Sequence, residues 1–318
     1  MPAVKGCKGG RRAVNQRTIA EKISCTGIGL HTGEPVQLTL YPARADSGIV
    51  FLRTDRPCPV EIPAKPRSVA STAHATTLGC GDATVGTVEH LLASLYSLGI
   101  DNVRVEVEGP EIPVMDGSSA SFVFLIRAAG IFDQGAERRR MRIRKPIAIR
   151  DGERSIRIGP GRSLRVSYSV DYTHPAIGRQ KLEGFTLSGE SFEREICRAR
   201  TFGFLHEVEA LWRNGLARGG NLDNTVVMDE TRVLNRDGLR WSDEFVRHKV
   251  LDLIGDLALI GMPIEGHIVV ERGGHALHQQ LVNEILNTPE AWRIEGAGAA
   301  AHRASSFGSL RSPAEASA

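Results

Sequence analysis

Cysteine is scarce in this chain and never paired in pattern. The five cysteines, Cys7, Cys25, Cys58, Cys80 and Cys197, are scattered, odd in number and free of any CxxC spacing, which argues against a disulfide framework or a thiolate metal cage and for reduced thiols. Long apolar runs are also missing. The longest, such as Leu257 to Met262, fall far short of the roughly 20 residues that a bilayer-crossing helix needs, so no integral membrane segment is expected. The basic N-terminus MPAVKGCKGGRRAVNQR lacks the apolar centre of a secretory signal, and a cytoplasmic chain is expected. Aromatic residues make up only 5% of the chain, and none interrupts the basic cluster of Arg138, Arg139, Arg140, Arg142, Arg144 and Lys145. A nucleic-acid groove interleaves such cations with stacking platforms, so no nucleic-acid partner is expected. The cluster reads as an exposed connection between domains, with a phosphate-bearing small ligand as the alternative.

What is present is an ordinary globular composition. The chain has 318 residues, 41% hydrophobic and 24% charged, with a net charge of +3, long enough for two core-bearing domains. Residues 1–16 carry four cations, a fifth follows at Arg17, and no acid precedes Glu21, so 1–16 read as a flexible basic leader. Strands are expected at Gly27–Leu30, Val36–Tyr41, Ile49–Arg53 and Asn102–Glu108, with helices at Val88–Leu98 and Ala120–Ala129. The second half repeats this grammar. It has strands at Met141–Ile149, Arg154–Ile158, Leu164–Val170 and Gly266–Glu271, and helices at Phe245–Ile260 and His275–Leu286. Strands first and helices after them favour α+β layers over a doubly wound parallel sheet. The expected divisions are 17–134, 135–295 and a disordered Ala-, Ser- and Gly-rich tail at 296–318.

The run Arg247-His248-Lys249-Val250-Leu251-Asp252-Leu253-Ile254-Gly255-Asp256-Leu257 sets a histidine and two carboxylates four residues apart among apolar side chains. Residues four apart share one helix face, so His248 and Asp252 can reach one ion, with Asp256 a turn further on as a ligand or a supporting group. Ten histidines compete for the third position. His174 and His302 have no carboxylate pattern near them, His206, His267 and His278 are unsupported, and His31 sits among glycines that mark a turn. His90 differs, because Thr87-Val88-Glu89-His90 opens an apolar helix with Thr87 as a candidate cap. An adjacent glutamate and histidine suit a general base beside a ligand, the arrangement of a hydrolytic zinc site with an open position for water.

Several motifs then occur in order: Gly27-Ile28-Gly29-Leu30-His31-Thr32-Gly33, Thr87-Val88-Glu89-His90-Leu91, Pro110-Glu111-Ile112-Pro113-Val114-Met115-Asp116-Gly117-Ser118, Ala199-Arg200-Thr201-Phe202-Gly203-Phe204, Asp243 to Asp252, and Gly274-His275-Ala276-Leu277. Together they resemble the UDP-3-O-acyl-N-acetylglucosamine deacetylase family, zinc amidases of lipid A biosynthesis, from about Arg17 to Trp292. The resemblance implies zinc held by His90, His248 and Asp252, with ferrous iron admitted by the same ligand set. It implies Glu89 as general base, His275 as the acid and oxyanion partner, Asp256 keeping that imidazole charged, and Thr201 donating to the oxyanion. Lys249, Arg154 and Arg272 are implied substrate contacts, although family members can carry lysine at the two arginine positions, with different donor geometry. Phe202 and Phe204 would face an acyl passage in an insertion at about 191–224, or simply pack a half-buried strand. The implied fold is two similar α+β domains with the site in the cleft between them. The implied partner is an acylated UDP-sugar, acted on by a monomer. The rival readings are a zinc amidohydrolase acting on another acylated sugar or a peptide, and a non-catalytic binding module folded around its metal.

Overall fold

The computed structural model describes residues 14–296. The first half runs β1 (Asn15–Ile19), β2 (Ile23–Ile28), β3 (Pro35–Pro42), β4 (Ile49–Arg53), β5 (Val60–Pro63), β6 (Val69–Ser71), β7 (Thr77–Cys80), β8 (Ala83–Val85), α1 (Glu89–Leu98), β9 (Val103–Glu108), α2 (Ala120–Ala128) and β10 (Ile131–Glu137). Its main sheet has the order β2-β3-β9-β4-β5. Period-two alternation explains the sheet's sidedness: Val103, Val105 and Val107 are buried while Arg104 and Glu108 face water. The second half runs β11 (Arg140–Ile143), β12 (Ile147–Asp151), β13 (Arg154–Gly159), β14 (Leu164–Asp171), β15 (Arg179–Thr186), α3 (Gly189–Glu195), β16 (Phe202–Phe204), α4 (Leu205–Arg213), β17 (Val226–Met228), α5 (Glu244–Ala258), β18 (Ile264–Glu271), α6 (His275–Asn287) and β19 (Trp292–Glu295). β18 is its spine, pairing antiparallel with β13 and parallel with β14 and β11. This is the α+β layering expected.

Helices α1 and α5 pack against each other where the halves meet. Leu91, Leu92 and Leu95 from α1 and Val250, Leu251 and Ile254 from α5 are fully buried in one continuous core. Each such side chain contributes about 1.5–3 kcal/mol, which offsets the desolvation of the carboxylates buried beside them.

Four differences from the sequence reading have physical causes. The expected strand Met141–Ile149 is two strands, because Pro146 has no N–H for the ladder and the N–H groups of Arg144 and Lys145 donate to Ala291 instead. The last two leader residues already belong to β1, whose register pairs Asn15 with Glu137 of β10; leader residues 1–13 and the tail from 297 lie outside the described residues. Thr87 does not cap α1. Its φ is +54°, and its hydroxyl donates to Glu111 Oε1 at 2.6 Å while the helix begins without a side-chain cap. The basic cluster is partly consumed internally, with Arg138 on Asp101 and with Arg140 and Arg142 on Glu265 and Glu295.

Candidate metal centre and catalytic cleft

Gly255 sets the spacing of the site. A Cβ there would stand 2.2 Å from the carbonyl oxygen of Glu89, so only glycine lets α5 approach the first turn of α1 this closely. Asp252 and Asp256 flank it in sequence, and both are thereby brought against Glu89 and His90.

His90, His248 and Asp252 are buried, with ligand atoms all within 4.8 Å of one another. Asp252 Oδ1 lies 3.3 Å from His248 Nε2 and 3.8 Å from His90 Nε2, yet has no hydrogen-bond partner. His248 Nδ1 is 3.1 Å from the carbonyl of Ala199. That acceptor fixes the proton on Nδ1 and leaves the Nε2 lone pair facing Asp252. Burial, and then His248, push His90 down to about 3, and burial lowers His248 as well. Burial opposes the Asp252 charge, but His248 and Lys249 outweigh it and hold the carboxyl far below the usual range. Two neutral imidazoles around an ionised, unpartnered carboxylate oxygen can hold a metal ion.

One turn along α5 the environment changes. Asp256 accepts from the Thr76 hydroxyl at 2.6 Å and from Nδ1 of His275 and of His278 at 2.8 Å each. Burial works against a charged His275, but Asp256 outweighs it and lifts the imidazole to about 9. Burial likewise opposes the Asp256 charge, and His275 brings the carboxyl down to about 2. Glu89 sits between the two groups. Its Oε2 accepts from the Thr76 N–H at 3.1 Å, and its Oε1 is 3.8 Å from His275 Nε2. Burial raises it, His275 opposes and Asp252 and Asp256 add, so that it is pushed up to about 7.

Glu89, His90, Thr201, Phe202, His248, Lys249, Asp252 and His275 line one cleft, together with His31, His74 and Thr87. Thr201 is strapped beside it, donating its N–H to Gly117 at 2.8 Å. Lys249 Nζ is 2.9 Å from Asp252 Oδ2 and 5.3 Å from the centroid of Phe202. Asp256 lies behind His275 and does not line the cleft. Arg154 and Arg272 line a separate, more open cleft with Asp151, Glu153, Asp171 and Tyr172. There Arg272 is ion-paired to Glu153 and Asp171. Phe204 is outside both clefts, packed on Tyr172, His174 and His206.

A family model described as UDP-3-O-acyl N-acetylglycosamine deacetylase matches residues 16–287. The chain belongs to that deacetylase family. Among its relatives, the UDP-3-O-acyl-N-acetylglucosamine deacetylase of Anaeromyxobacter sp. (strain Fw109-5) is 50% identical over 280 residues, 88% of this chain and 91% of the relative. The deacetylase of Myxococcus xanthus (strain DK1622) is 49% identical over 280 residues, covering 88% and 89%. That of Teredinibacter turnerae (strain ATCC 39867 / T7901) is 48% identical over 282 residues, covering 88% and 93%. Among the described residues, no helix is long and apolar enough to cross a membrane.

Within this deacetylase, sequence reasoning passed over three residues at the site. Thr76 touches both Glu89 and Asp256, and its position had carried no motif. Glu111 is buried and accepts from the backbone of His31 and Thr32 and from Thr87, locking the turn that carries His31 onto the residue before Val88-Glu89. His278 is the third, and its spacing of three from His275 on one helix is the signal the sequence offers for it.

Proposed function

We propose that the cleft hydrolyses the N-acetyl group of a UDP-3-O-(3-hydroxyacyl)-N-acetylglucosamine to the free amine and acetate, a step of lipid A biosynthesis, with zinc held by His90, His248 and Asp252. The observation that carries the metal assignment is Asp252 Oδ1, buried, without a hydrogen-bond partner, and aimed between two imidazole nitrogens. Zinc ligands at bond lengths of roughly 2.0–2.1 Å in tetrahedral array stand about 3.3 Å apart, close to the 3.3 and 3.8 Å separations here. Ferrous iron suits the same donors. When bound, the metal supplies Lewis acidity that polarises the amide carbonyl and acidifies water.

The protein's own groups do the rest. The Thr76 N–H holds Glu89 Oε2, leaving Oε1 to take the proton of the attacking water. The Thr201 hydroxyl donates to the oxygen that gains charge as the water oxygen bonds to the carbonyl carbon. His275, protonated on both nitrogens and held by Asp256 through Nδ1, turns Nε2–H into the cleft and gives that proton to the nitrogen as the C–N bond breaks. Lys249, fixed on Asp252 and covering Phe202, adds a cation at the wall. Arg154 and Arg272 are proposed for the diphosphate. Tyr172 links the two clefts, lining the outer one and meeting Phe202 with ring centroids 6.0 Å apart. Phe202 and Phe204, with the 191–224 segment, are proposed for the acyl chain.

The reading divides the chain into α+β domains at 17–134 and 135–295, with β10 carrying the chain across. Both ligand-bearing helices come from one chain, which supports action as a monomer. A nucleotide-activated sugar supports a cytoplasmic setting. The test is metal content and acetate release from the acylated UDP-sugar before chelation, after it, and after zinc or iron is restored. A purified protein that binds neither metal, or that releases no acetate when loaded, refutes the reading.

A further inference from the structure

Helix α6 carries a second buried imidazole one turn after His275. His278 is fully buried, with Nδ1 2.8 Å from Asp256 Oδ2 and Nε2 3.0 Å from the Tyr168 hydroxyl, which is also fully buried. An ionised carboxylate only accepts, so the nitrogen that His278 turns to Asp256 carries a proton. Burial keeps His278 below the ordinary histidine range and therefore neutral, so its Nε2 is a lone pair and Tyr168 O–H must donate to it. The tautomer is set from both ends.

Asp256, His275 and His278 come as close together as metal ligands do, but their hydrogen-bond arithmetic differs from that of a metal site. Oδ1 receives Thr76, Oδ2 receives both imidazoles, and His278 Nε2 receives Tyr168. None of these atoms is left without a partner. The sequence preceding α6 protects the arrangement. A Cβ at Gly273 would stand 2.5 Å from the Tyr168 hydroxyl, so glycine at this position is what lets Tyr168 reach His278.

We propose that His278 and Tyr168 are positioning residues for the deacetylation, a second donor arm that fixes the plane of the Asp256 carboxylate so that His275 keeps Nε2 directed into the cleft. The proposal rests on the deacetylase reading above. With Thr76 and His275 alone, the carboxylate has one donor on each oxygen and can rotate with the imidazole. The His278 N–H, arriving at Oδ2 from a different direction on the same helix, removes that freedom. Apolar side chains of similar volume fill a buried polar site at little cost in stability or even with a gain, so a polar pair kept only for packing would be replaceable.

The experiment compares His278→Leu, His278→Asn and the double variant Tyr168→Phe/His278→Leu with wild type in metal content, thermal melting, KM and kcat. An asparagine amide nitrogen can stand where Nδ1 stands. His278→Leu and the double variant are expected to keep their metal and KM and to lose kcat by about 10- to 100-fold, the range for groups that orient a functional side chain. His278→Asn is expected to recover most of that loss. A kcat for His278→Leu within about twofold of wild type, a loss confined to KM, or an asparagine variant no better than leucine overturns the proposal. Should the variants not fold, nitrogen-15 spectra of histidine-labelled wild type decide, with the Nδ1–H tautomer of His278 expected and the Nε2–H tautomer overturning it. A wild type that releases no acetate removes the deacetylase reading and this role with it, whereas an active wild type with indifferent variants removes only this role.

Discussion

Two turns of one helix carry two clusters of histidine and aspartate that differ in what they lack. Around Asp252 a carboxylate oxygen is buried with no donor and the imidazoles are held neutral. Around Asp256 every oxygen has a donor and one imidazole is held charged. The same residue types on the same face therefore suit opposite ends, one able to hold a cation and the other already holding a proton. Counting unsatisfied atoms separates them where residue identity does not.

The widest break in this comparison is expected from Asp252→Ala, which removes the unsatisfied acceptor. Metal content measured by atomic emission is expected to fall to background and deacetylation with it; a variant that retains stoichiometric metal disproves the ligand assignment. Glu89→Ala leaves both clusters standing and removes the group between them. Full metal content with a kcat about 10²- to 10⁴-fold lower is expected, the range for a general base, and normal turnover would take Glu89 out of the mechanism.

Asp256→Asn tests the charged side. Wild-type activity is expected to rise as Glu89 ionises through about 7 and to decline as His275 loses its proton through about 9. Without the carboxylate the main cause of the raised histidine pKa is gone, so the alkaline limb should move to lower pH while metal content stays constant. An unmoved limb would dissociate Asp256 from His275. The same pair predicts stability. The His275 contribution is complete below its ordinary 6.5 and lost as pH rises through about 9, while that of Asp256 is complete above its ordinary 3.8 and lost as pH falls through about 2. Thermal melts of wild type and Asp256→Asn should thus differ most between about pH 4 and 6.5 and differ less above 9, where the His275 part is lost. The smallest effect is expected at Arg154→Ala, outside both clusters, where KM should rise a few-fold with kcat unchanged; a drop in kcat would tie the outer cleft to the chemistry.

How much of this could be read beforehand depended on how far apart in sequence the partners lie. His248, Asp252 and Asp256 share a helix face, and their spacing alone pointed to two of the three residues that lie close enough to hold a metal ion. Glu89-His90 stood out because polar residues opened an apolar helix. The α1 and α5 helices and β4 emerged within a few residues of their expected bounds, since each is long or strongly patterned. By contrast, Thr76 reaches Asp256 across 180 positions and Tyr168 reaches His278 across 110, and no local periodicity encodes such contacts. The strands β6, β7 and β8, each three or four residues long, are too short to show an alternation. Thr87 misled because a threonine before a helix has the chemistry of a cap, and only the tertiary pull of Glu111 redirects its hydroxyl.

Gly255 also bears on how substrate gets in. With Glu89 seated against a residue whose side chain is a single hydrogen, α1 and α5 have no slack along their crossing, and a hinge between them would have to open this close contact. Under the proposed reading the groups around Glu89 are therefore in place before substrate arrives, and a bulky acylated ligand would be accommodated at the periphery. There α4 leaves Leu205 and Trp212 exposed. Under that reading, variation there would retune which substrates are admitted without disturbing the Glu89–Gly255 contact.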